Sequence, residues 1–408
     1  MELGMSERVR PLVEAVREFI RERVIPVDEE FLQEVEKGDR WTLTDRQNEI
    51  LEGLKAAARA QGLWNFWLTG SDRGYGLNTV EYAYLAEETG RAQLAAEAFN
   101  CSAPDTGNME VLERYGSAAQ KQQWLEPLLD GRIRSAFAMS EPAVASSDAT
   151  NICASAVLDN GEWLINGEKS YITGAGDPRC KILIVMVKTN PENPRHLQHS
   201  QILVPMDTAG VEIVRPLTVF SLDDAPFGHM HLKFTDVRVP EDNIILGAGR
   251  GFEISQGRLG PGRVHHCMRA IGMAEKALEL MCRRSISRTA FGQPLARLGG
   301  NYDRIANARM NIDMARLLTL KTAWVIDTQG VEEAQLWISK IKAVVPQITL
   351  DIIDDAIQMH GAHGLSQDFP LAGMYMAART LRMADGPDEV HRMVVARQEL
   401  RPYVKALR

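Results

Sequence analysis

The residues best suited to chemistry in this 408-residue chain lie near its C-terminus, between Gln358 and His391. Two turns carry them. The first holds Gly361 and Gly364 at the end of a helical pattern, and the second is Asp385-Gly386-Pro387, followed by Asp388 and Glu389. Glycine lets a backbone approach a flat ligand closely, and proline at the first helical position leaves the neighbouring N–H groups outward with positive partial charge. An acid on such a corner, sheltered from water, could take a proton. The same residues also make an ordinary helix start with acids in its first turn, so local spacing leaves both readings open.

Such corners need elements to hold them. From Ser6 to about Ile25 the apolar residues Val9, Leu12, Val13, Val16, Phe19 and Ile20 recur at helical spacing, and Pro26 is expected to end that helix. Helical periods continue from Thr44 to Ala60, Thr79 to Gly90 and Gly107 to Asp130, so residues 1–133 read as an N-terminal α-helical domain. The pattern then switches to period two. Asn160-Gly161 sits between alternating apolar runs, a strong hairpin signal, and further strands are expected from Lys181 to Val187, Gln201 to Pro205, Val211 to Val214 and Met230 to Val239. Residues 134–246 thus read as a middle β domain. After Gly247-Ala-Gly249-Arg-Gly251, helices are expected from Val264 to Arg284, Asp303 to Gln329, Glu332 to Gly361 and Pro387 to Leu400, with a kink at Pro346 unless its neighbours absorb the lost hydrogen bond. Residues 247–408 are then a C-terminal α-helical domain, and the whole chain is mostly α with a central β domain.

Composition excludes several classes. The net charge of -8 and pI near 5.7 give no electrostatic case for a nucleic-acid partner, and Arg397, Arg401, Lys405 and Arg408 form only a modest basic cluster. Cys101, Cys153, Cys180, Cys267 and Cys282 are scattered and never spaced C-x-x-C, which points to reduced thiols in an intracellular protein. Glu7, Glu14, Glu18 and Glu22 alternate with Arg8, Arg17 and Arg21, unlike a transit peptide, and no run has a signal-peptide core or spans a bilayer. A cytoplasmic location without a membrane partner is expected. His360 and His363, with His265 and His266 elsewhere, have no acid or cysteine at a metal-site spacing, so no metal is expected. Gly260-Pro-Gly262 does not complete a dinucleotide fingerprint.

Four strings in order resemble the acyl-CoA dehydrogenase family over essentially the whole chain: FAMSEPAVASSDA from Phe137, SYITGAG from Ser170, SRTAFGQPL from Ser287, and QMHGAHG with ADGPDEVHRMVVAR at the end. GRLGPGRVHHCMR from Gly257 is most similar to the dehydrogenase region of animal family members ten and eleven and their bacterial relatives. The resemblance implies an N-terminal helical domain, a middle β-barrel domain and a C-terminal four-helix bundle, with FAD as cofactor. It implies that Phe137, Met139 and Ser140 lie beside the flavin ring with Ser146 near it, and that Tyr171 and Thr173 cover the other side. Arg288 and Phe291 match residues on the FAD pyrophosphate and adenine half, and Gln358 with Gly361 matches a contact from a neighbouring subunit, so a homodimer or homotetramer is implied. Pro387, Asp388 and Glu389 fall where the chain closes over the flavin. Ser147, Arg263 and Gly386 match acyl-CoA contacts, and Asp385 matches the catalytic base.

The reaction implied by the resemblance is the α,β-dehydrogenation of fatty-acid β-oxidation. Asp385 removes the α-proton of an acyl-CoA thioester, the β-hydride passes to flavin N5, trans-2-enoyl-CoA leaves, and an electron-transfer flavoprotein takes the electrons. Such abstraction needs an anionic carboxylate facing the carbon and donors at the carbonyl oxygen. Several positions depart from the family pattern. The usual base is Glu, longer by one C–C bond of roughly 1.5 Å; a second family solution puts a glutamate where this chain has Gly262. Gly260, Gly299 and Met376-Ala377 also replace common polar residues. Two rivals stay open: a nitroalkane-oxidase-like flavin oxidase, which also uses an Asp base but no CoA, and a non-catalytic flavin- and DNA-binding family member.

Overall fold

Seven strands form one sheet: β1 (Arg134–Ala138), β2 (Ser155–Asp159), β3 (Glu162–Thr173), β4 (Cys180–Lys188), β5 (His199–Pro205), β6 (Val211–Leu217) and β7 (His229–Pro240). Their order is β1-β4-β2-β3-β7-β6, with β5 paired to β4. Pairing is antiparallel except where β4 runs parallel to β1 and β2. Asn160 and Gly161 join β2 to β3 at φ of 53° and 81°, the left-handed pair that a two-residue hairpin turn requires. Alternation then sends one set of side chains inward. Ile165 faces Val237 across the β3–β7 pair, Leu183 faces Val204 across β4–β5, and with Ala136, Ala138, Ile172 and Leu232 they make a buried apolar core onto which Trp41 packs. Burying each large aliphatic side chain contributes about 1.5–3 kcal/mol.

The computed structural model describes residues 2–69, 71 and 73–406. By contacts the chain forms two units, one from Met1–Pro26, Phe66–Ala96 and Gly260–Arg408, the other from Val27–Asn65 and Glu97–Leu259. The mostly helical fold with a central sheet is the one the sequence leads to. Beside the sheet, the second unit contains the helix Asp45–Ala60, whose cap Thr44 accepts from Gln47 N–H while Gln47 accepts from Thr44 N–H. It also buries a charged cluster. Arg134 donates to Asp105 at 2.5 Å and to Glu97 at 2.7 Å, and Arg179 donates to Glu97 at 2.5 Å and Asp177 at 2.7 Å. Burial alone would raise the Glu97 carboxyl, but Arg134, Arg179 and Lys55 overcome it and hold it at about 2.

The first unit is helical. Thr79–Thr89 begins with a double cap: Asn78 accepts from Glu81 N–H, and Asp327 accepts from the N–H groups of Thr79 at 2.8 Å and Val80 at 3.0 Å. Gly330, at φ 89°, turns Asn301–Gln329 into Val331–His360. Pro346 lies inside that second helix, which runs on through it. A further helix, Leu371–Leu381, precedes the last one, Asp388–Ala406. Arg397 and Arg401 are exposed on that last helix, while Arg408 lies outside the described residues. No described helix is long and apolar enough to cross a membrane.

Two sequence expectations are corrected. Pro26 does not end the first helix: Arg10–Phe19 passes through a π turn, Ile20–Val24, into Ile25–Glu34. In that turn Ile25 N–H bonds the Ile20 carbonyl, and the wider winding makes room for the proline ring. The helix expected from Val264 instead spans Gly251–Ser287 and carries Gly260-Pro261-Gly262 within it. Packing overrides the ~1 kcal/mol that each helical glycine costs: Val264, Cys267, Met268 and Ile271 are all buried.

Arg134→Met should leave buried carboxylates uncompensated and cost about 3–5 kcal/mol, read as a lowered urea midpoint. Because the folded Glu97 pKa is depressed, its contribution is complete above the ordinary 4.5 and is lost as pH falls toward about 2. Glu97→Gln should therefore show a shallower loss of stability with pH across that window than the unsubstituted protein.

Candidate active site

Asp385 stands in the left-handed region at φ 55°, and Gly386 follows at φ 100°. The two residues turn the chain between Leu371–Leu381 and Asp388–Ala406, and they put two backbone carbonyls inward where donors must meet them. Arg263 Nε donates to the Asp385 carbonyl at 2.9 Å, and His391 Nε2 lies 3.3 Å from the same oxygen. Lys342 Nζ donates to the carbonyls of Leu381 at 2.6 Å and Gly386 at 3.2 Å. Burial, then Arg263 and Lys342, push His391 down to about 4, so at neutral pH it is an uncharged ring. Its Nδ1, 3.4 Å from Ser339 Oγ, can accept the serine proton while Nε2–H faces the Asp385 carbonyl. Burial lowers both Arg263 and Lys342, with Asp385 opposing the shift.

The Asp385 side chain is partly exposed, with Oδ2 3.4 Å from His266 Nε2. Gly262 borders it: a Cβ there would lie 3.6 Å from Oδ2. Asp388 is only 2% exposed and pairs with Arg382 at 2.7 Å, whereas Glu389 is exposed. The corner is a carboxylate on a fixed backbone.

In the second unit, β1 and β3 bring two of the sequence strings side by side. Ser170 N–H donates to the Ser140 carbonyl at 2.9 Å. Lys169, fully buried, donates to the carbonyls of Met139 at 3.1 Å and Met186 at 2.6 Å and to Glu141 at 2.8 Å. Burial lowers Lys169 to about 8, Glu141 pulling the other way. Glu141 also accepts from the N–H groups of Cys153 and Ala154, both at 2.8 Å, and Ser146 Oγ accepts from Glu141 N–H at 2.8 Å. Phe137, Met139, Ser140, Ser146, Tyr171 and Thr173 thus share one region, with Ser147 exposed just beyond Ser146. Tyr171 stands at φ 55° and is 56% exposed; Thr173 Oγ1 lies 3.0 Å from His229 Nδ1.

Arg288 and Phe291 form a third group at the other end of the long helix, roughly 35 Å from Arg263 at 1.5 Å per residue. They lie on the small hairpin of Thr289–Ala290 and Gln293–Pro294, where Phe291 is 95% exposed at φ 51°. Arg284 Nη2 donates to the His360 carbonyl at 3.4 Å, which ties this end to the helix terminus bearing Gln358 and Gly361, the glycine exposed at φ 65°. Three of the histidines have protein partners. His360 bonds the Ala356 carbonyl and packs on Phe369, His363 pairs with Asp368, and buried His265 meets the Tyr82 ring edge-on.

Sequence reasoning assigned no role to Lys342, His391, Lys169 or Glu141. The signal was a charge at an inward position: Lys342 among Ile338, Ile341 and Val345, and Lys169 in the inward register of β3.

Models for the N-terminal, middle and C-terminal domains of acyl-CoA dehydrogenase match residues 6–132, 136–237 and 249–400. The chain is 53% identical over 403 residues to acyl-CoA dehydrogenase family member 10 of Mus musculus, covering 98% of this chain and 37% of that protein. It is 50% identical over 398 residues to member 11 of Homo sapiens, covering 96% of this chain and 50% of that protein. The chain thus spans about half the length, or less, of these relatives. With "Probable acyl-CoA dehydrogenase FadE2" of Mycobacterium tuberculosis it shares 53% identity over 352 residues, 86% of each chain. A solved Mycobacterium abscessus structure, 53% identical, superposes with a TM-score of 0.94 over 98% of this chain and 100% of that one. With three domain models in order and this identity across most of a relative's length, the chain belongs to the acyl-CoA dehydrogenase family.

Proposed function

We propose that this chain is an FAD-dependent acyl-CoA dehydrogenase that converts an acyl-CoA thioester to trans-2-enoyl-CoA, with Asp385 as the base. In this reading residues 1–133, 134–246 and 247–408 are its three domains, it works as a cytoplasmic homodimer or homotetramer, and an electron-transfer flavoprotein receives its electrons. The observation that carries it is the grip on the Asp385 backbone, held at φ 55° with its carbonyl taken by Arg263. A short base tolerates little error, since misplacement by ~1 Å can cost on the order of 100-fold. Fixing the backbone supplies what the missing methylene cannot.

The residues fit FAD. Exposed aromatics in strained left-handed conformations, Tyr171 and Phe291, are apolar faces of the kind a flat ring or an adenine covers, and Arg288 is exposed beside Phe291. PigA, solved with FAD, shares this fold at 22% identity and a TM-score of 0.83. Phe137, Met139, Ser140, Ser146, Tyr171 and Thr173 would hold the ring, and Arg288, Phe291, Gln358, Gly361, Pro387 and Glu389 the rest. Bound there, FAD supplies the hydride acceptor. Ser147, Arg263 and Gly386 would orient the acyl-CoA, and Asp385 takes the α-proton. Oligomerisation is supported by an exposed apolar row on one helix, Met310, Met314 and Leu317, at helical spacing.

An anaerobic titration with a panel of acyl-CoAs should bleach the flavin band. Asp385→Asn should keep FAD and lose bleaching, with reduction slowed by about 10²–10⁴-fold. Bleaching unchanged in Asp385→Asn, or turnover of a nitroalkane without CoA, would overturn the reading. The Asn variant should fold as well as the unsubstituted protein, because Asn tolerates the left-handed region; Asp385→Val should lower stability by about 1–2 kcal/mol. Sedimentation should give at least twice the 45.4 kDa chain mass.

A further inference from the structure

We infer that His266 is a positioning residue that holds the Asp385 carboxylate through its Nε2–H, with Arg269 fixing the ring in the tautomer that can do so. The inference rests on the reading of Asp385 as the base. Arg269 Nη2 lies 3.2 Å from His266 Nδ1. Arginine has only donors, so this contact requires a lone pair on Nδ1, and the proton of the neutral ring must then sit on Nε2. That nitrogen is the one 3.4 Å from Asp385 Oδ2. A neighbouring guanidinium also opposes a second proton on the ring.

The helix surface is shaped for this pairing. Gly262 and His266 are one turn apart and share a face, and at Gly262 an added Cβ would come within 3.6 Å of Oδ2. The carboxylate therefore lies over the glycine and against the imidazole. Because Asp is a methylene shorter than Glu, its two side-chain torsions are the freedom left once Arg263, His391 and Lys342 have fixed the backbone around it. The His266 contact restricts that freedom. A separation of 3.4 Å is long for a hydrogen bond, as is common before substrate tightens a site.

The charged and titratable groups around the pair are Arg263, His265, Cys267 and Arg269 on the long helix, Lys342 on Val331–His360, and Asp388 and His391 on the last helix. Burial raises Cys267 to about 12 and lowers His391 to about 4, so both are uncharged near neutrality and neither adds a titration there.

The test uses holoenzyme and the acyl-CoA that reduces its flavin fastest. Two rates are followed against pH: anaerobic flavin reduction, and washout of the α-proton into D₂O by enzyme whose flavin was reduced beforehand, which reports proton abstraction without hydride transfer. In His266→Leu both rates should fall about 10-fold or more, and the midpoint of each pH profile should rise by about one unit. His266→Gln puts an amide N–H near the position of Nε2 and should stay within about threefold of the unsubstituted enzyme with its midpoint, whereas His266→Asn, too short to reach, should behave like Leu. If all three variants lose activity equally with unmoved pH midpoints, the positioning role is overturned. If the unsubstituted enzyme is not reduced by any acyl-CoA, or Asp385→Asn still exchanges the α-proton, the base assignment falls and the inference with it. Comparing Gln with Asn keeps the test decisive should the Leu variant fail to fold.

Discussion

The structure around the candidate base depends on two backbone carbonyls that have to be satisfied. A left-handed Asp385 followed by Gly386 at φ 100° turns both carbonyls away from any helical ladder. Left bare and buried, each would cost about 1–3 kcal/mol. Arg263 and Lys342, reaching in from two different helices, take them. Two long helices are thereby fastened to one tight turn.

That fastening explains how a carboxylate can be precise without being long. Three of the polar groups gathered at the corner are aimed at the backbone: Arg263 and His391 meet the Asp385 carbonyl oxygen and Lys342 the carbonyl of Gly386, while His266 stands against the side chain. Asp388, whose place in the first turn makes it look like a second chemical acid, is instead buried and paired with Arg382. One acid of the pair is held in an ion pair, and the other lies over Gly262 and against His266.

The sheet uses the same device at another scale. Lys169 is an ammonium with no access to water, compensated by Glu141 and two carbonyls, and it joins β3 to the segment that follows β1. Removing a buried partner of this kind costs far more than its net contribution in place, because the remaining charge has nowhere to go. The Phe137–Ser140 stretch is thus set against Ser170 and Tyr171 by charge-assisted bonds, and their relative placement does not rest on loop packing.

The elements themselves were legible because they are written in short-range terms. Period two with Asn160-Gly161 marked the hairpin, period 3.6 with Thr44 marked a capped helix, and Asp385-Gly386-Pro387 marked a turn before a helix, since these signals depend on neighbours within a few residues. Local signals misled where distant packing outweighed them. Pro26 is absorbed by a π turn, and Gly260-Pro-Gly262 is carried inside a helix that continues through a poor local sequence. The family motifs named the candidate acid with Arg263 and Gly386, but they assigned no part to His266, Lys342 or His391. His266 and Lys342 come from two helices far earlier in the chain, and their convergence on the Asp385-Gly386 turn is a property of how those helices pack. Sequence by itself determined which residues are chemically able and which stretches are helix or strand, because propensity and periodicity act locally. Only the tertiary structure decided which of the able residues meet, because burial and hydrogen-bond geometry are set by partners that the chain order keeps apart.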